Sequence, residues 1–213
     1  MKRTLVLVVS VLVCAFQLPA VAALWTVGKA GDSILYDVAY GQSRYVAVGE
    51  SGTILTSTNA STWTVATYAG TPNQLYAVAY GNGTFVAVGQ GGWTVTSLDG
   101  VKWTSAGSGA TVEDLNAIIL AAGEFVAAGK NGAIITSATG TSWTLASYAT
   151  GTSDTNDNLT AIAYANGRFL VVGIDPGVSF TSASGTPSGP KAGDLTTGSI
   201  WSPWLTATAF SRR

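Results

Sequence analysis

The stretch Leu75-Tyr-Ala-Val-Ala-Tyr-Gly-Asn-Gly-Thr-Phe-Val-Ala-Val-Gly89 decides the fold, because close copies of it recur along the chain. It joins two short runs of apolar, aromatic and β-branched residues through Asn-Gly, which is a strong local signal for a β-hairpin. The equivalent leucines are spaced 40, 40 and 44 residues apart. They are Leu35, Leu75, Leu115 and Leu159.

Each repeat continues into a third apolar run that ends in Thr-Ser, and three repeats then carry a Trp-Thr pair. Four short strands repeating every 40 to 44 residues predict the blades of a β-propeller, since one such sheet must stack on neighbours to bury its faces. We therefore predict an all-β propeller of about four four-stranded blades, which form either a complete or an incomplete ring. We assign the repeats to residues 35–74, 75–114, 115–158 and 159–213. The Trp-Thr tryptophans, which we expect to lie buried between adjacent sheets, are Trp63, Trp103 and Trp143.

The composition removes several classes of function. The 213 residues include no histidine, which excludes Ser-His-Asp and Cys-His nucleophiles and imidazole zinc sites. Only 10% of the residues are charged, well below the ~25% of an average soluble domain. We expect no cofactor and no metal. The run Asp154-Thr-Asn-Asp-Asn158 begins like a calcium loop, but Leu159 replaces the glycine that such a loop needs, so we interpret it as an insertion.

Residues 1–23 have the layout of a secretory signal peptide. Lys2 and Arg3 precede an apolar run, and Ala20-Val-Ala22 provides small residues for cleavage. Gln17 and Pro19 interrupt the run, which makes it too short for a membrane anchor. Removal of this segment leaves 8 basic and 11 acidic residues. We therefore expect a secreted or periplasmic protein that binds neither nucleic acid nor membrane.

The turn Thr96-Ser-Leu-Asp-Gly-Val-Lys-Trp103 resembles the Asp-box of sialidase-type propellers, and the turns that lead to Trp63 and Trp143 resemble worn copies of it. The repeat as a whole is similar to secreted bacterial propellers of the Asp-box group, which includes sialidases and photosystem II assembly factors. The resemblance covers residues 35 to about 182 and implies the fold. In these families the Asp-box is a structural turn, whose acid here is Asp99.

The resemblance to sialidases implies an enzyme with three substrate-binding arginines, a Tyr-Glu nucleophile pair and an acid-base Asp. Apart from two terminal arginines, the chain beyond residue 23 offers only Arg44 and Arg168, which share one repeat position. No spacing selects a carboxylate pair from Asp37, Glu50 and Asp175. We therefore expect a non-enzymatic binding or assembly module. The alternative is a carbohydrate-active enzyme, or a decayed or truncated relative of one.

Two sets of repeat positions are candidates for recognition. The turn between the second and third strands has a different first residue in each repeat, as in Glu50, Gln90 and Lys130, with Asp175 in the fourth turn. Tyr36 and Tyr76 begin innermost strands and could line the central channel. The predicted partner is a protein or a glycan.

Two segments compete for the outer edge of the last blade. Residues 24–34, with Leu24-Trp-Thr-Val27, match a fourth strand and could close the ring. Ser202-Pro-Trp-Leu-Thr-Ala-Thr208 matches the same strand and could occupy the same place. The second match favours an open arc, which we expect to self-associate through its exposed faces and edges.

Overall fold

A computed structural model describes residues 32–68, 70, 73–107, 109–147, 157–174, 179–182 and 196–197. These residues form four sheets, each built on four antiparallel strands that neighbour one another in chain order. One of the sheets also has a fifth, short strand, which pairs in parallel with its edge. The prediction of an all-β propeller with four four-stranded blades is therefore confirmed. The predicted signal peptide, the segment Leu24-Trp-Thr-Val27 and the segment 202–208 lie outside the described residues.

The four blades have closely similar strand boundaries. Blade 1 contains β1 (Leu35–Gly41), β2 (Arg44–Gly49), β3 (Ile54–Ser57) and β4 (Thr64–Val65). A short strand, β5 (Thr67–Tyr68), follows it. Blade 2 contains β6 (Leu75–Gly81), β7 (Thr84–Gly89), β8 (Thr94–Ser97) and β9 (Lys102–Ser105).

The second half of the chain repeats this pattern. Blade 3 contains β10 (Leu115–Ala121), β11 (Glu124–Gly129), β12 (Ile134–Ser137) and β13 (Thr144–Ser147). Blade 4 contains β14 (Leu159–Ala165), β15 (Arg168–Gly173), β16 (Ser179–Ser182) and β17 (Thr196–Thr197). The strand that pairs with β16 is thus β17, which belongs to neither segment proposed from the sequence.

The first hairpin of every blade closes with a two-residue turn. Both central residues have positive φ, as at Asn82 (49°) and Gly83 (77°), which is the type I′ geometry that matches strand twist. Gln42 and Ser43 adopt the same conformation in blade 1 without a glycine. The turn geometry is therefore kept even where its sequence signal is lost.

The core lies between consecutive blades. We call the face that a blade turns toward the preceding blade its N-side face, and the opposite one its C-side face. Val46 and Val48 on the C-side face of blade 1 pack with Leu75, Phe85 and Trp103 on the N-side face of blade 2. Equivalent clusters join blade 2 to blade 3 and blade 3 to blade 4. Stacking of this kind buries both faces of the internal blades.

The burial of the three tryptophans differs. Trp103 and Trp143 are 3% and 8% exposed, which confirms the expectation for blades 2 and 3. Trp63 is only half-buried, so the expectation was wrong for blade 1. By its repeat position Trp63 belongs to the N-side face of blade 1. No blade precedes blade 1 among the described residues.

The turn that contains Asp99 is held by its own side chains. Asp99 Oδ1 accepts hydrogen bonds from the backbone N–H groups of Val101 (2.8 Å) and Lys102 (2.9 Å). These bonds hold the pKa of the Asp99 carboxyl below its ordinary value. Asn59 Oδ1 accepts the corresponding bonds in blade 1, from the N–H groups of Ser61 (2.9 Å) and Thr62 (2.8 Å).

Candidate functional site

A β-bulge occurs near the start of the innermost strand in every blade. In blade 1, Leu35 pairs with Gly49 and Asp37 pairs with Val48, which leaves Tyr36 as the extra residue. The same register shift occurs in the other three blades. A bulge redirects the side chain of the extra residue and is common beside functional sites. The four bulge residues are Tyr36, Tyr76, Asn116 and Thr160.

The turns between the second and third strands lie at the same end of the blades. The first residue of each turn donates its backbone N–H to the carbonyl of the residue that precedes the innermost strand. The N···O distances are 2.9 Å for Glu50 to Ile34, 2.9 Å for Gln90 to Gln74 and 2.8 Å for Lys130 to Asp114. The turn residues and the bulge residues therefore share one end of the blades, which we call the top face.

The turns between the second and third strands require positive φ at two positions, not only at the final glycine. Each is a 3-10 turn whose middle residue also has positive φ, at Ser51 (53°), Gly91 (66°) and Asn131 (53°). The conformation therefore restricts the last two positions of the turn. The first position, which holds Glu50, Gln90 or Lys130, is the one whose side chain the backbone leaves free to vary.

Two of the bulge tyrosines contact each other. The ring centroids of Tyr36 and Tyr76 are 5.6 Å apart with an interplanar angle of 55°. The Tyr36 hydroxyl donates to Gln74 Oε1 at 3.5 Å. Burial, followed by the negative charge of Asp114, raises the pKa of Tyr76. The Tyr76 hydroxyl is therefore neutral, and the two rings together present an aromatic surface.

An ion pair borders the tyrosines. Lys130 Nζ lies 2.6 Å from Asp114 Oδ2, and the Gly91 N–H donates to Asp114 Oδ1 at 2.8 Å. Burial acts to raise the pKa of Asp114, but the Lys130 and Gly91 hydrogen bonds outweigh it and the net shift is downward. The hydrogen bond that Lys130 donates to Asp114 also raises the pKa of Lys130. Asp114 is therefore ionised, and the half-exposed ammonium of Lys130 faces solvent beside Tyr76.

The third bulge residue serves the scaffold. Asn116 Nδ2 donates to Asn158 Oδ1 at 2.7 Å and to the Leu159 carbonyl at 2.8 Å, which ties blade 3 to the start of blade 4. Thr160, the fourth bulge residue, is exposed. The aromatic part of the top face therefore lies on blades 1 and 2.

The structure brings most of the predicted binding residues to one surface. Tyr36, Tyr76 and Lys130 lie together on the top face, and Glu50 and Gln90 occupy the same end of their blades. Asp175 lies outside the described residues. Sequence reasoning missed Gln74 and Asp114, although they occupy one repeat position that varies as much as the turn does, with Ile34 and Asn158 at its other copies.

The side chains considered for catalysis have structural contacts instead. Asp37 accepts hydrogen bonds from the N–H groups of Val38 and Val78, both at 2.8 Å, and so joins the innermost strands of blades 1 and 2. Arg44 Nη1 donates to Thr56 Oγ1 at 3.2 Å. Arg44 and Arg168 begin second strands, at the end of the blades opposite the top face. Neither arginine therefore joins the tyrosines.

The described part of the chain contains no group of three or more Cys, Asp or Glu residues placed to hold a metal ion. No helix within that part is long and apolar enough to cross a membrane. The top face offers aromatic rings, amides, phenol hydroxyls and one ion pair. Such groups bind by stacking and by directed hydrogen bonds.

The sequence matches no protein-family model and no curated protein. Solved structures that are similar to the chain include YCF48 from Cyanidioschyzon merolae, with a TM-score of 0.58 and 12% identity over 80% of this chain. YCF48 bound to D1 peptide has a TM-score of 0.53 and 17% identity over 74% of this chain. A chain of the nidogen/laminin complex has a TM-score of 0.57 and 12% identity over 73%.

At these identities the likeness is one of fold alone. The chain spans 57% and 51% of the two YCF48 chains and 63% of the nidogen/laminin chain. It spans 91% of a smaller protein, the computationally designed Ika4, with a TM-score of 0.55 and 14% identity.

Proposed function

We propose that this chain is a non-enzymatic binding module that recognises a protein partner through the top face of blades 1 and 2. The observation that carries the proposal is the contact between Tyr36 and Tyr76, two bulge residues with ring centroids 5.6 Å apart. Tyrosines that remain partly exposed in such a pair offer a large, rigid contact area at a low cost in side-chain entropy.

The groups around the tyrosines suit an extended peptide segment. The rings can pack against an apolar side chain, while the phenol hydroxyls and the amides of Gln74 and Gln90 can hydrogen-bond to a peptide backbone. The Lys130–Asp114 pair, with its 2.6 Å contact, gives the surface a fixed positive group on one side. A protein of similar fold has been solved bound to D1 peptide, and another is a chain of the nidogen/laminin complex. These precedents favour a protein partner over a glycan.

Export of the protein is part of the proposal. The layout of residues 1–23 supports a secreted or periplasmic location, where the partner would also be found. The top face needs neither a cofactor nor a thiol, and the one cysteine of the chain, Cys14, lies within that segment.

Parallel peptide and glycan arrays test the proposal directly. We expect the purified protein to select peptides, and Tyr36→Ala and Tyr76→Ala to weaken the selected interaction by about 10- to 30-fold, as for interface hot spots. Thr160→Ala is the matched control, because it alters the same repeat position in blade 4. Tyr36→Phe separates the ring from the hydroxyl that donates to Gln74.

The outcomes discriminate between the alternatives. Selection of glycans with the same dependence on tyrosine would replace the protein partner by a carbohydrate. Turnover of chromogenic sialosides or glycosides by the purified protein would overturn the non-enzymatic assignment. Peptide binding that tolerates both tyrosine variants would remove the top face from the interaction.

A further inference from the structure

The innermost strand lies at one end of the strand order in each described sheet. Alternate residues of such an edge strand turn their backbone N–H groups away from the neighbouring strand. One of these groups belongs to the second residue after the bulge, which has the same register in all four blades. The four residues at this position are Val38, Val78, Ile118 and Ile162.

Between blades 1 and 2, a single carboxylate accepts two of these N–H groups. Asp37 Oδ1 accepts the Val38 N–H and Asp37 Oδ2 accepts the Val78 N–H, both at 2.8 Å. Each oxygen thus serves one blade, and the carboxylate bridges two consecutive innermost strands. Hydrogen bonds to an ionised acceptor are shorter and stronger than those between neutral groups. The spacing of consecutive blades therefore places two N–H groups where one carboxylate can join them.

Between blades 3 and 4, the chain supplies no such acceptor. Ala117 occupies the repeat position of Asp37, and its methyl group cannot accept a hydrogen bond. The corresponding N–H groups belong to Ile118 and Ile162, which pair with the second strands of their blades as Val38 and Val78 do. Within the described part of the chain, no group accepts a hydrogen bond from either of them.

The position of Ala117 is open to solvent. Ala77, the equivalent residue between blades 2 and 3, is 4% exposed and packs in the core there. Ala117 is only half-buried and does not belong to the core cluster that joins blades 3 and 4. The hydrogen bonds of the neighbouring residue, Asn116, already tie these two blades together. The pair of N–H groups is therefore accessible and is held in place without a ligand.

From this internal precedent we propose that the N–H groups of Ile118 and Ile162 bind an external carboxylate, one oxygen to each group. A carboxylate fits because it offers two acceptor oxygens and no donor. It can come from a small organic acid or from an Asp or Glu side chain of a protein partner. The site lies next to the top face, directly after the bulge residue Asn116, but it does not depend on the contact between the two tyrosines.

Amide chemical shifts of the isotopically labelled full-length protein test the site, with sodium acetate as the probe. We expect the Ile118 and Ile162 amides to shift saturably, with a Kd of about 1 to 30 mM for two charge-assisted hydrogen bonds. The Val38 and Val78 amides should not respond, because Asp37 already binds them. Sodium chloride controls for ionic strength, and acetamide controls for shape without charge.

A second probe distinguishes the sources of the carboxylate. N-acetyl-aspartate methylamide carries the same group on a capped aspartate residue. Tighter binding of this compound than of acetate would assign the site to a side chain of a protein partner, whereas tighter binding of acetate would assign it to a small acid. Tyr36→Ala should leave both titrations unchanged, so this result is independent of the peptide binding proposed above.

Two reciprocal variants sharpen the test. Ala117→Asp should supply the chain's own carboxylate, so the Ile118 and Ile162 amides should exchange more slowly with solvent and no longer respond to acetate. Asp37→Ala should make the Val38 and Val78 amides responsive instead. Leu98→Asp is the matched control for added charge, since Leu98 is 73% exposed on a turn, and it should keep the wild-type response.

The titration of the wild-type protein decides the proposal even if a variant fails to fold. Unchanged Ile118 and Ile162 amides at about 100 mM acetate would overturn it, because that concentration exceeds the expected Kd. Equal shifts with acetamide or sodium chloride would also overturn it, since they would show no preference for a carboxylate. A folded Ala117→Asp variant that keeps the full response to acetate would place the bound carboxylate elsewhere.

Discussion

Blades 1 and 2 show how little of a residue's burial is decided by its own strand. Their innermost strands, β1 and β6, differ only where Asp37 replaces Ala77. Nevertheless Val78 is buried and Val38 is largely exposed. The strand sequence specifies the blade, whereas the neighbouring blade determines which face becomes core. In a stacked architecture the same residue therefore has a different energetic role at the end of the stack.

The largest expected effect contrasts two tryptophans. Trp103→Ala should lower the free energy of unfolding by about 3 to 5 kcal/mol, because it empties the space between blades 1 and 2. Trp63→Ala should cost less than half as much, since Trp63 is only half-buried. Equilibrium denaturation of both variants measures the difference. Equal losses would show that the N-side face of blade 1 is as well covered as that of blade 2.

A smaller contrast concerns the paired valines. Val78→Ala should cost about 2 kcal/mol through the lost burial of methyl groups and the cavity left behind. Val38→Ala should change the stability of the single chain by no more than about 0.5 kcal/mol. Urea titrations at dilutions at which the protein is monomeric would test this pair. A large cost for Val38→Ala under those conditions would contradict an exposed N-side face.

Ala60 offers a third comparison, because it has a φ of 58° where blades 2 and 3 have Gly100 and Gly140. Ala60→Gly should raise the free energy of unfolding by about 0.5 to 1 kcal/mol by relieving this left-handed conformation. Gly100→Ala is the reverse change, and its new methyl group would press on Val46 and Phe85. Ala60→Gly should therefore have the highest unfolding temperature, wild type an intermediate one and Gly100→Ala the lowest. Stabilisation by Gly100→Ala would refute the comparison.

The smallest effect concerns the acid of the blade 2 turn. The pKa of Asp99 is lower in the folded state, so its charge stabilises the protein above the unfolded-state value of about 3.9. That contribution is lost as the pH falls through the folded-state pKa. Asp99→Asn should therefore cost under about 0.5 kcal/mol at neutral pH, because the carboxylate is exposed, and the cost should vanish near about pH 2.

Asn59, which makes the same backbone hydrogen bonds in blade 1, supplies the control. Asn59→Ala should lower stability by an amount that does not change over the same pH range, because no charge is involved. Denaturant titrations at both pH values measure the two variants. A difference between Asp99→Asn and wild type that is independent of pH would show that the charge of Asp99 has no role.

The sequence predicts the strands and blades well because its 40-residue period carries the apolar alternation, the turn residues and the tryptophans together. It predicts the location of the candidate site only in part. The bulge that redirects Tyr36 and Tyr76 is a shift in pairing between two strands, and neither strand alone encodes it. The role of Asp37 could not be predicted either, because it accepts a hydrogen bond from the N–H group of Val78, which lies in the next blade and 41 residues away in the chain.

The outer edge of blade 2 was unpredictable for a related reason. Thr67–Tyr68 follows the last strand of blade 1 but pairs in parallel with β9 of blade 2. Two residues without a distinctive pattern cannot signal such a pairing. Only the position of the chain after blade 1, beside an open sheet edge, makes it favourable.

Strand β5 also affects the order in which the blades unfold. Blade 1 cannot separate from blade 2 without breaking the Thr67 N–H bond to the Val101 carbonyl and the bond from Trp93 Nε1 to the Tyr68 hydroxyl. These two blades should therefore open as one cooperative unit, with matched protection of their amides against hydrogen exchange. At the other end of the chain, Thr196 pairs with Thr181 as Thr64 pairs with Thr56, and the residue before Thr196 is Leu195 where the other three repeats have a tryptophan. Opening of the native protein should therefore begin at blade 4 and proceed toward the clamped pair.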